Sequence, residues 1–416
     1  MATTIESLSL TETIAPTTPE ALAEAIADAH GSVTPVYPIG GGTSLDYGLP
    51  AKQPGVGLSL AGLNRVVDYP DRDMTITVEA GITMAALAEQ LAAHRQRLPI
   101  DAPLADRATL GGVLATATSG PRRYGQGTVR DYVIGIRAVD GRGQPFAGGG
   151  RVVKNVAGYD FCKLLTGSLG TLGVVTQVTL KVKPRPEASA FVACCVTDLV
   201  QAERLLAGLI DSATTPVAIE LLSGPSWDDD RIAAGVADGP ACLIVGLEGT
   251  AAEVDWMVQR LVEEWRAAGV VPAEIVQPSP VKRWWSRLTE FPAETEPSGS
   301  APLVIKGNVL PSAVTFFVQM LRDVDPGSSI LAHAGNGIVI ARMSKIEGGD
   351  ASHLLITRLQ PAAVAAGGNV IVLSCPAGDL TRPACWGAVQ SDRDLMLAIK
   401  QQFDPSNILN RGRFLF

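Results

Sequence analysis

The stretch Pro38-Ile39-Gly40-Gly41-Gly42-Thr43-Ser44 places three consecutive glycines directly after a short apolar segment, residues 33–37, that predicts a β-strand. Residues without a Cβ atom allow a positive φ and a tight reversal of the chain. They also let several backbone N–H groups converge, which is how proteins hold a diphosphate without a cationic side chain. Thr43 and Ser44 add hydroxyl donors where the loop ends. A plain surface turn is the alternative interpretation.

Two further segments rich in small residues follow in the first half of the chain. Residues 109–120, Thr-Leu-Gly-Gly-Val-Leu-Ala-Thr-Ala-Thr-Ser-Gly, combine glycines with hydroxyl side chains. Residues 167–176, Gly-Ser-Leu-Gly-Thr-Leu-Gly-Val-Val-Thr, end in an alternating strand pattern. We predict that the three segments are loops that form the walls of an extended nucleotide site. None of them matches G-x-G-x-x-G after a first strand or G-x-x-x-x-G-K-[ST], so neither a Rossmann fingerprint nor a Walker loop is present.

Composition narrows the class of protein. The 416 residues are 46% hydrophobic and 18% charged, which indicates a compact fold with an ample core. The net charge of −8 argues against a nucleic-acid partner, because no basic stripe balances it. Residues 1–18 lack the basic and apolar regions of a signal peptide, and no apolar run is long enough to span a membrane. The six cysteines include no C-x-x-C pair, so we expect reduced thiols in a cytoplasmic protein.

The order of predicted elements indicates an α+β protein of two domains. After a flexible N-terminus at residues 1–18, residues 19–186 form the first domain, which ends at Pro184-Arg-Pro186. It contains a helix from Pro19 to His30 and another from Ile82 to Arg95. Residues 187–390 alternate strands and helices, which predicts an antiparallel sheet with helices on one face. Residues 391–416 form a helix and a tail that returns to the first domain.

Several motifs, in this order, resemble the FAD-binding domain of the vanillyl-alcohol oxidase/p-cresol methylhydroxylase (PCMH) flavoprotein superfamily. The matching motifs are Pro38-x-Gly-Gly-Gly-Thr43, Val78-Glu-Ala-Gly-Ile82, the 109–120 segment, Arg130-Asp-Tyr-Val-Ile-Gly135, Lys154-Asn-Val-Ala-Gly-Tyr-Asp160 and the 167–176 segment. Residues 403–413, Phe-Asp-Pro-Ser-Asn-Ile-Leu-Asn-Arg-Gly-Arg, resemble the closing motif, with Arg411 where a proline is usual. Within the superfamily the chain is most similar to the FAD-binding E subunits of glycolate oxidase (glycolate dehydrogenase), over roughly residues 15–185 and 390–416.

The resemblance implies a PCMH-type FAD-binding domain of two α+β subdomains, followed by an α+β cap domain with an antiparallel sheet. It implies non-covalent FAD, because the superfamily tethers flavin through a histidine or cysteine, and none stands in the three segments. The residues expected to bind the cofactor are Pro38, Ile39, Gly40, Gly41, Gly42, Thr43, Ser44, Ala102, Thr109, Gly111, Gly112, Ala115, Thr116, Ser119, Gly120, Gly173, Val174, Val175 and Asn410.

The same resemblance implies a role in oxidising glycolate, a small 2-hydroxy acid, to glyoxylate. The partners would be a catalytic D-type flavin subunit and an iron–sulfur F subunit that passes electrons to a quinone pool, with at most peripheral membrane association. Two alternatives stay open at this point. The first alternative to the subunit role is a self-sufficient FAD-dependent dehydrogenase for a hydroxy acid or alcohol. The second is a structural paralogue without flavin turnover.

The cap region departs from the pattern of related 2-hydroxy-acid dehydrogenases, which carry a metal-binding His-x-Gly-Asp-Gly-Asn-x-His stretch. Here residues 331–340 read Leu-Ala-His-Ala-Gly-Asn-Gly-Ile-Val-Ile. His333 and Asn336 remain, while Ile338 and Val339 stand near the place of the second histidine. A divalent metal needs three or four N, O or S ligands, so we expect none. His333 is then either a residual catalytic group or a hydrogen-bonded core histidine.

Two cations in the cap region are further candidates for the catalytic site. Lys306 and Arg287 could hold a substrate carboxylate, since a guanidinium group matches a carboxylate in a bidentate way. The alternative is a solvated or ion-paired role beside structural tryptophans. We also predict that Trp284 and Trp285 form an exposed apolar patch for a partner subunit.

Overall fold

The computed structural model describes residues 8–151, 158–236, 239–294, 302–344, 351–375, 380–388 and 391–415. The chain divides into two compact units. The first comprises Met1–Ser119, Thr128–Arg185 and Ala388–Phe416, and the second comprises Gly120–Gly127 and Pro186–Gly387. Most of the sequence motif at residues 154–160 lies outside the described residues.

In chain order the strands are β1 Leu10–Ile14, β2 Val36–Ile39, β3 Gly55–Ser59, β4 Val66–Asp68, β5 Thr75–Glu79, β6 Gln96–Arg97, β7 Val133–Val139, β8 Pro145–Gly149, β9 Val174–Lys181, β10 Lys183–Pro184, β11 Ala188–Val196, β12 Ala218–Ser223, β13 Ala241–Gly249, β14 Ala273–Ile275, β15 Leu303–Asn308, β16 Ser329–His333, β17 Ile338–Met343 and β18 Asn369–Ser374. The helices are α1 Pro19–Ser32, α2 Met84–Ala92, α3 Leu110–Thr116, α4 Arg123–Gln126, α5 Val129–Tyr132, α6 Phe161–Leu165, α7 Leu199–Asp211, α8 Asp228–Ala233, α9 Ala251–Ala267, α10 Pro278–Glu290, α11 Val314–Val324, α12 Ala351–Leu354, α13 Gln360–Ala365, α14 Arg382–Trp386 and α15 Arg393–Phe403, with a π-helical segment Leu355–Leu359 between α12 and α13.

The first unit contains two main sheets. Among its described residues, β1, β3 and β2 form a parallel sheet in that order, and β4-β5-β9-β7-β8 form an antiparallel sheet. The triglycine stretch follows β2 directly, and Gly173 directly precedes β9. The core joins side chains from helices and strands alike, among them Leu22, Leu58, Ile76, Leu87, Leu114 and Val178.

Local capping explains where the first elements of this unit begin and end. α1 begins at Pro19, where the Thr18 hydroxyl accepts a hydrogen bond from the Ala21 N–H at 3.1 Å. It ends where Val33 takes a left-handed φ of 56°. For this reason the following strand starts at Val36 and not at Val33, where the sequence pattern placed it.

The segment 109–120 is not the loop that the sequence predicted. Leu110–Thr116 is helix α3, and Thr109 is its N-cap. Leu110, Val113 and Leu114 are buried in the core of the first unit, at the i, i+3 and i+4 positions of a helix face. The two glycines at 111 and 112 disguise this helix in the sequence because glycine is a poor helix former.

Within its described residues, the second unit is built on one antiparallel sheet. Its strand order is β14-β11-β13-β12-β16-β17-β15-β18. Helices cover both of its faces, whereas the sequence predicted one. On one face Gly246 packs against the Trp285 ring of α10, and on the other Gly307 packs against Phe317 of α11. β12 and β17 are buried along their whole length for the same reason. No helix among the residues described is long and apolar enough to cross a membrane.

A buried ion pair fixes the C-terminal tail within the first unit. Lys400 Nζ donates to Asp404 Oδ2 at 2.6 Å and to the carbonyl oxygens of Thr171 and Leu409 at 2.8 and 3.1 Å. The Asp404 carboxylate also accepts hydrogen bonds from the N–H groups of Ile408 and Leu409. Burial lowers the pKa of Lys400, and the Asp404 charge opposes that shift. Every hydrogen bond of this cluster therefore ties the tail to itself or to the turn before β9.

We expect Asp404→Ala to lower the free energy of unfolding of the first unit by about 3–5 kcal/mol, because it leaves a buried ammonium without its counter-ion. The matched control is Glu264→Ala, which removes an ion pair of the same i, i+4 spacing, Arg260–Glu264, on the surface of α9. That change should cost about 0.5 kcal/mol or less. Urea unfolding followed by circular dichroism measures both, and equal losses would show that the buried pair has no special role.

Candidate functional site

The three small-residue segments meet in one groove of the first unit. Of the residues predicted from the sequence, Pro38, Gly40, Thr109, Gly111, Gly112, Ala115, Gly173, Val174, Val175 and Asn410 line it. Leu60, Ser168, Leu169 and Gly170 also line it and were not singled out. The last three lie inside the 167–176 segment, so the glycine spacing there was the available signal.

The remaining predicted cofactor residues lie away from the lining of this groove. The side chains of Ile39 and Ala102 are buried in the protein interior. Thr116 donates its hydroxyl hydrogen to the Gly112 carbonyl oxygen at 2.8 Å, so it is engaged within α3. Ser119 is the last residue of its segment in the first unit, and Gly120 belongs to the second unit. Residues 41–44 continue the loop that begins at Gly40.

Close backbone contact explains the glycines of this loop better than positive φ values do. A Cβ atom at Gly41 would lie 1.6 Å from the carbonyl oxygen of Arg107, and one at Gly40 would lie 2.2 Å from the Thr109 hydroxyl. Only Gly42 of the three has a left-handed φ, of 69°. The loop thus needs glycine at positions 40 and 41 because residues 107–109 pack directly on it.

The same loop carries backbone donors that the protein does not use. The N–H groups of residues 41–44 donate to no acceptor within the described part of the chain. The Arg107 guanidinium group lies beside them, with Nη2 3.4 Å from the Gly41 carbonyl oxygen. Consecutive free N–H groups next to a cation form a site for an anion. Sequence reasoning missed Arg107, since no motif marks it.

The beginning of helix α3 differs from the loop, because its donors are used within the fold. The Leu110 N–H donates to the Ile82 carbonyl oxygen at 2.9 Å, and the Gly111 N–H donates to that of Ala80 at 2.7 Å. The Gly112 N–H donates to the Thr109 hydroxyl at 3.3 Å. This helix end therefore offers small side chains and a positive dipole, and its first three N–H groups are not free for a ligand.

Asn410 connects the far wall of the groove to the C-terminal tail. Its backbone N–H donates to the Val36 carbonyl oxygen at 2.9 Å, beside β2. Its side-chain Nδ2 donates to the carbonyl oxygen of Leu169, and both residues have a left-handed φ, of 45° and 52°. Gly170 follows at a φ of 66°. The tail thereby holds the turn at residues 168–170 against the end of β2.

The second unit holds a buried histidine–carboxylate pair on one face of its sheet. Glu220 on β12 lies opposite His333 at the end of β16, and Glu220 Oε2 is 2.7 Å from His333 Nδ1. Both side chains are almost fully buried. His333 Nε2 has no hydrogen-bond partner among the described residues. Nor do these residues contain any group of three or more His, Cys, Asp or Glu side chains that could hold a metal ion.

Lys306 lies on the same face as this pair. The register through β17 separates it from His333 by two strands and two residues, so their Cα atoms are roughly 12 Å apart. Lys306 forms no ion pair among the described residues, and its environment explains its charge state. Burial first, and then the nearby charge of Arg123, lower the pKa of Lys306 to about 8.

Arg287 has a different environment, because protein groups already use its donors. Nε donates to Asp230 Oδ2 at 2.7 Å, Nη2 donates to the Ser226 carbonyl oxygen at 2.9 Å, and Nη1 pairs with Glu294. We therefore leave Arg287 out of the proposed substrate site. The alternative interpretation, an ion-paired arginine beside tryptophans, describes this geometry.

The predicted exposed patch at Trp284 and Trp285 is wrong. Only 4% and 7% of these side chains are exposed. Trp285 packs against Phe191 at 4.5 Å between ring centroids, and its Nε1 donates to the Ser189 hydroxyl at 2.8 Å. The Arg122 guanidinium group stacks on the same indole at 3.6 Å. Both tryptophans thus belong to the core of the second unit.

Comparison with known proteins agrees with this geometry. Residues 12–147 match the family described as FAD binding domain. The chain is 37% identical to glycolate oxidase subunit GlcE of Escherichia coli over 171 residues, which is 41% of this chain and 48% of that protein. It is 25% identical to glycolate oxidase subunit GlcD of Bacillus subtilis over 91% of this chain and 83% of that protein. The relatives therefore include both kinds of subunit, and the specific likeness to E subunits is not established.

Solved structures share the fold at low sequence identity. A p-cresol methylhydroxylase structure with bound substrate has a TM-score of 0.73 at 17% identity, covering 96% of this chain and 88% of that one. An alkyldihydroxyacetonephosphate synthase structure has a TM-score of 0.69 at 17% identity, covering 96% of this chain and 76% of that one. The predicted PCMH-type α+β fold is thus confirmed. Residues 12–147 are an FAD-binding domain, FAD is the cofactor, and the chain is an FAD-dependent oxidoreductase with the PCMH-type fold.

Proposed function

We propose that this FAD-dependent oxidoreductase is the FAD-binding subunit of a complex that oxidises glycolate, a small 2-hydroxy acid, to glyoxylate. Its partners would be a catalytic flavin subunit and an iron–sulfur subunit that passes electrons to a quinone pool. The complex would work in the cytoplasm, with peripheral contact to the inner membrane through the partners. The observation that carries the proposal is the groove of the first unit together with the loop that continues from Gly40. In that loop the N–H groups of residues 41–44 have no acceptor in the described chain and lie beside the Arg107 guanidinium group.

The geometry of the groove suggests how each wall would contribute to FAD binding. Residues 41–44 and Arg107 would hold the pyrophosphate, because they supply free N–H donors and a positive charge. The small residues of α3 and the stretch Gly173–Val175 would let the flat rings of FAD approach the backbone. Bound there, FAD supplies the two-electron chemistry of the reaction. Ile39, Ala102, Thr116, Ser119 and Gly120 remain predicted contacts that no observation in the groove supports.

The choice of a hydroxy acid rests on the relatives. Their names include glycolate oxidase subunits, a mitochondrial D-lactate dehydrogenase of Arabidopsis thaliana and a D-2-hydroxyglutarate dehydrogenase of Xanthomonas citri. The Arabidopsis protein is 26% identical over 77% of this chain and 58% of its own length. All of these names refer to the oxidation of a carbon that bears a hydroxyl group next to a carboxylate. We therefore assign this chemistry to the complex.

A second candidate function, a self-sufficient hydroxy-acid dehydrogenase, is favoured by the side chains of the second unit. Glu220 orients the imidazole of His333. The Nε2 of that ring has no partner among the described residues and would accept the hydroxyl proton of a substrate. Lys306, a cation without a counter-ion in the described chain, would hold the substrate carboxylate. In this version no metal is needed, because the base is oriented by a carboxylate.

For FAD binding, we expect Gly41→Val to lose most of the cofactor, because the new side chain would displace the backbone of Arg107 from the loop. Gly31→Val is the matched control, since a Cβ at Gly31 meets no atom within 4 Å. The 450 nm absorbance per purified chain measures the content. Arg107→Gln, which keeps the loop intact, should weaken FAD binding by about 10- to 100-fold, the worth of a hydrogen bond to a charged group. Unchanged FAD content in both variants would show that this loop does not bind FAD.

Because we expect FAD to be bound non-covalently, acid or heat denaturation of the native protein should release all of its flavin into the supernatant. The reason is that no histidine or cysteine stands in the three small-residue segments. Flavin fluorescence of the supernatant and of the washed precipitate is the measurement. Flavin that stays with the precipitated chain would contradict non-covalent binding.

For the subunit role, we expect glycolate to leave the flavin absorbance of the lone chain almost unchanged under anaerobic conditions. Activity should appear when the chain is co-expressed with a catalytic flavin subunit and an iron–sulfur subunit. An anaerobic stopped-flow titration measures the bleaching rate at 450 nm. Bleaching of the lone protein as fast as turnover of the complex would contradict the subunit role and favour the self-sufficient dehydrogenase.

The second candidate function makes its own prediction about pH. The ammonium group of Lys306 is charged below its pKa of about 8 and loses the charge above it, so substrate affinity should fall as the pH rises. The KM for glycolate or D-lactate should be level between about pH 6 and 7 and rise about tenfold per unit well above pH 8. Lys306→Arg should remove that rise, because arginine stays charged. A rise in KM that persists in this variant would contradict the role of Lys306.

A further inference from the structure

Two cysteines of the second unit face each other across neighbouring strands. The antiparallel register of β11 and β13 places Cys195 directly opposite Cys242, whereas Cys194 lies opposite Leu243. Because side chains alternate along a strand, Cys195 and Cys242 share one face of the sheet, and Cys194 points to the other face. None of the three forms a disulfide. The proposed function uses none of them.

The surroundings of this pair distinguish the two sulfur atoms. Arg231 Nη1 lies 3.7 Å from Cys195 Sγ, and the same nitrogen donates to the Gly239 carbonyl oxygen at 3.1 Å, which fixes its position. Cys195 is partly exposed, and Cys242 is fully buried. A hydrogen bond to Cys195 and burial both raise the pKa of the Cys242 thiol. A nearby guanidinium group and a donating thiol both favour a thiolate at Cys195.

The backbone geometry suits a disulfide between these residues. Directly opposed residues of an antiparallel pair have Cα atoms about 4.5–5.5 Å apart. Protein disulfides span Cα distances of about 4.4–6.8 Å. The strands can therefore accept the bond with little movement. Cys194 cannot compete, because its side chain lies on the opposite face, where burial raises its pKa to about 12.

We propose that Cys195 and Cys242 form a peroxide-reactive dithiol. The Cys195 thiolate attacks one oxygen of a hydroperoxide and the O–O bond breaks. That oxygen stays on the sulfur as a sulfenic acid, and the other oxygen takes up a proton and leaves as water or an alcohol. The Cys242 thiol then attacks that sulfur, an S–S bond forms, and water leaves. The two thiols together lose two electrons when they form the disulfide, and the hydroperoxide gains those two electrons when its O–O bond breaks. This inference is independent of the substrate proposed above.

The experiment treats the full chain, reduced and freed of reductant, with a few equivalents of hydrogen peroxide. Remaining thiols are then blocked with N-ethylmaleimide under denaturing conditions, and the digest is analysed by mass spectrometry. We expect one intrachain link, Cys195 to Cys242, with the loss of two hydrogens. Cys194→Ser should leave the link unchanged. Cys242→Ser should stop the reaction at a Cys195 sulfenic acid that dimedone traps.

Arg231→Gln tests the source of the reactivity. It should slow the alkylation of Cys195 by iodoacetamide in the native protein several-fold, because it removes the positive charge beside the sulfur. Cys375, which is also partly exposed, is the internal reference for access to the reagent. Unmodified Cys195 and Cys242 after peroxide treatment, or a link that involves Cys194, would overturn the proposal. So would native Cys195 that is alkylated no faster than Cys375.

Discussion

The carbonyl oxygen of Arg107 occupies the place where a side chain at residue 41 would begin, and the FAD-binding unit depends on this contact between two stretches of backbone. A Cβ atom at Gly41 would lie 1.6 Å from that oxygen. Residues 107–109 pack directly on the loop after β2 at Gly40 and Gly41. The N–H groups of residues 41–44 stay without an acceptor in the described chain and lie beside a guanidinium group. The packing that requires glycine and the donors for an anion thus lie in the same loop.

Segments distant in sequence hold this loop in place from both sides. Residues 107–109 pack on one side, and the C-terminal tail lies along β2, where Asn410 and Ile408 bond to the backbone of Val36. The tail keeps its shape because the buried pair of Lys400 and Asp404 uses each of its polar atoms for a nearby backbone group or for the other charge. A buried pair that is satisfied in this way fixes one conformation, whereas an unsatisfied one would be costly.

The second unit shows the difference between a polar group that stabilises the fold and one that is left for chemistry. Arg287 is surrounded by Asp230, Glu294 and a carbonyl oxygen, so its role in the packing explains it. His333 is more deeply buried than Arg287, with 2% of its side chain exposed against 28%, and among the described residues only its Nδ1 has a partner. A buried polar atom without a partner costs about 1–3 kcal/mol. Such a cost at His333 is the physical reason for considering a ligand there, and it is absent at Arg287.

The sequence alone determined the features that short-range patterns encode. These are the strand followed by glycines at residues 40–42, the three small-residue segments that meet in the groove, the α+β order of elements and the FAD-binding character. Features set by distant partners could not be read from it. The need for glycine at position 41 comes from Arg107, which lies 66 residues away, and the partner of His333 is Glu220, which lies 113 residues away. The burial of Trp284 and Trp285 and the helix at residues 110–116 were likewise decided by packing. Local patterns record what a residue can do, and only the tertiary structure decides which distant group lies beside it.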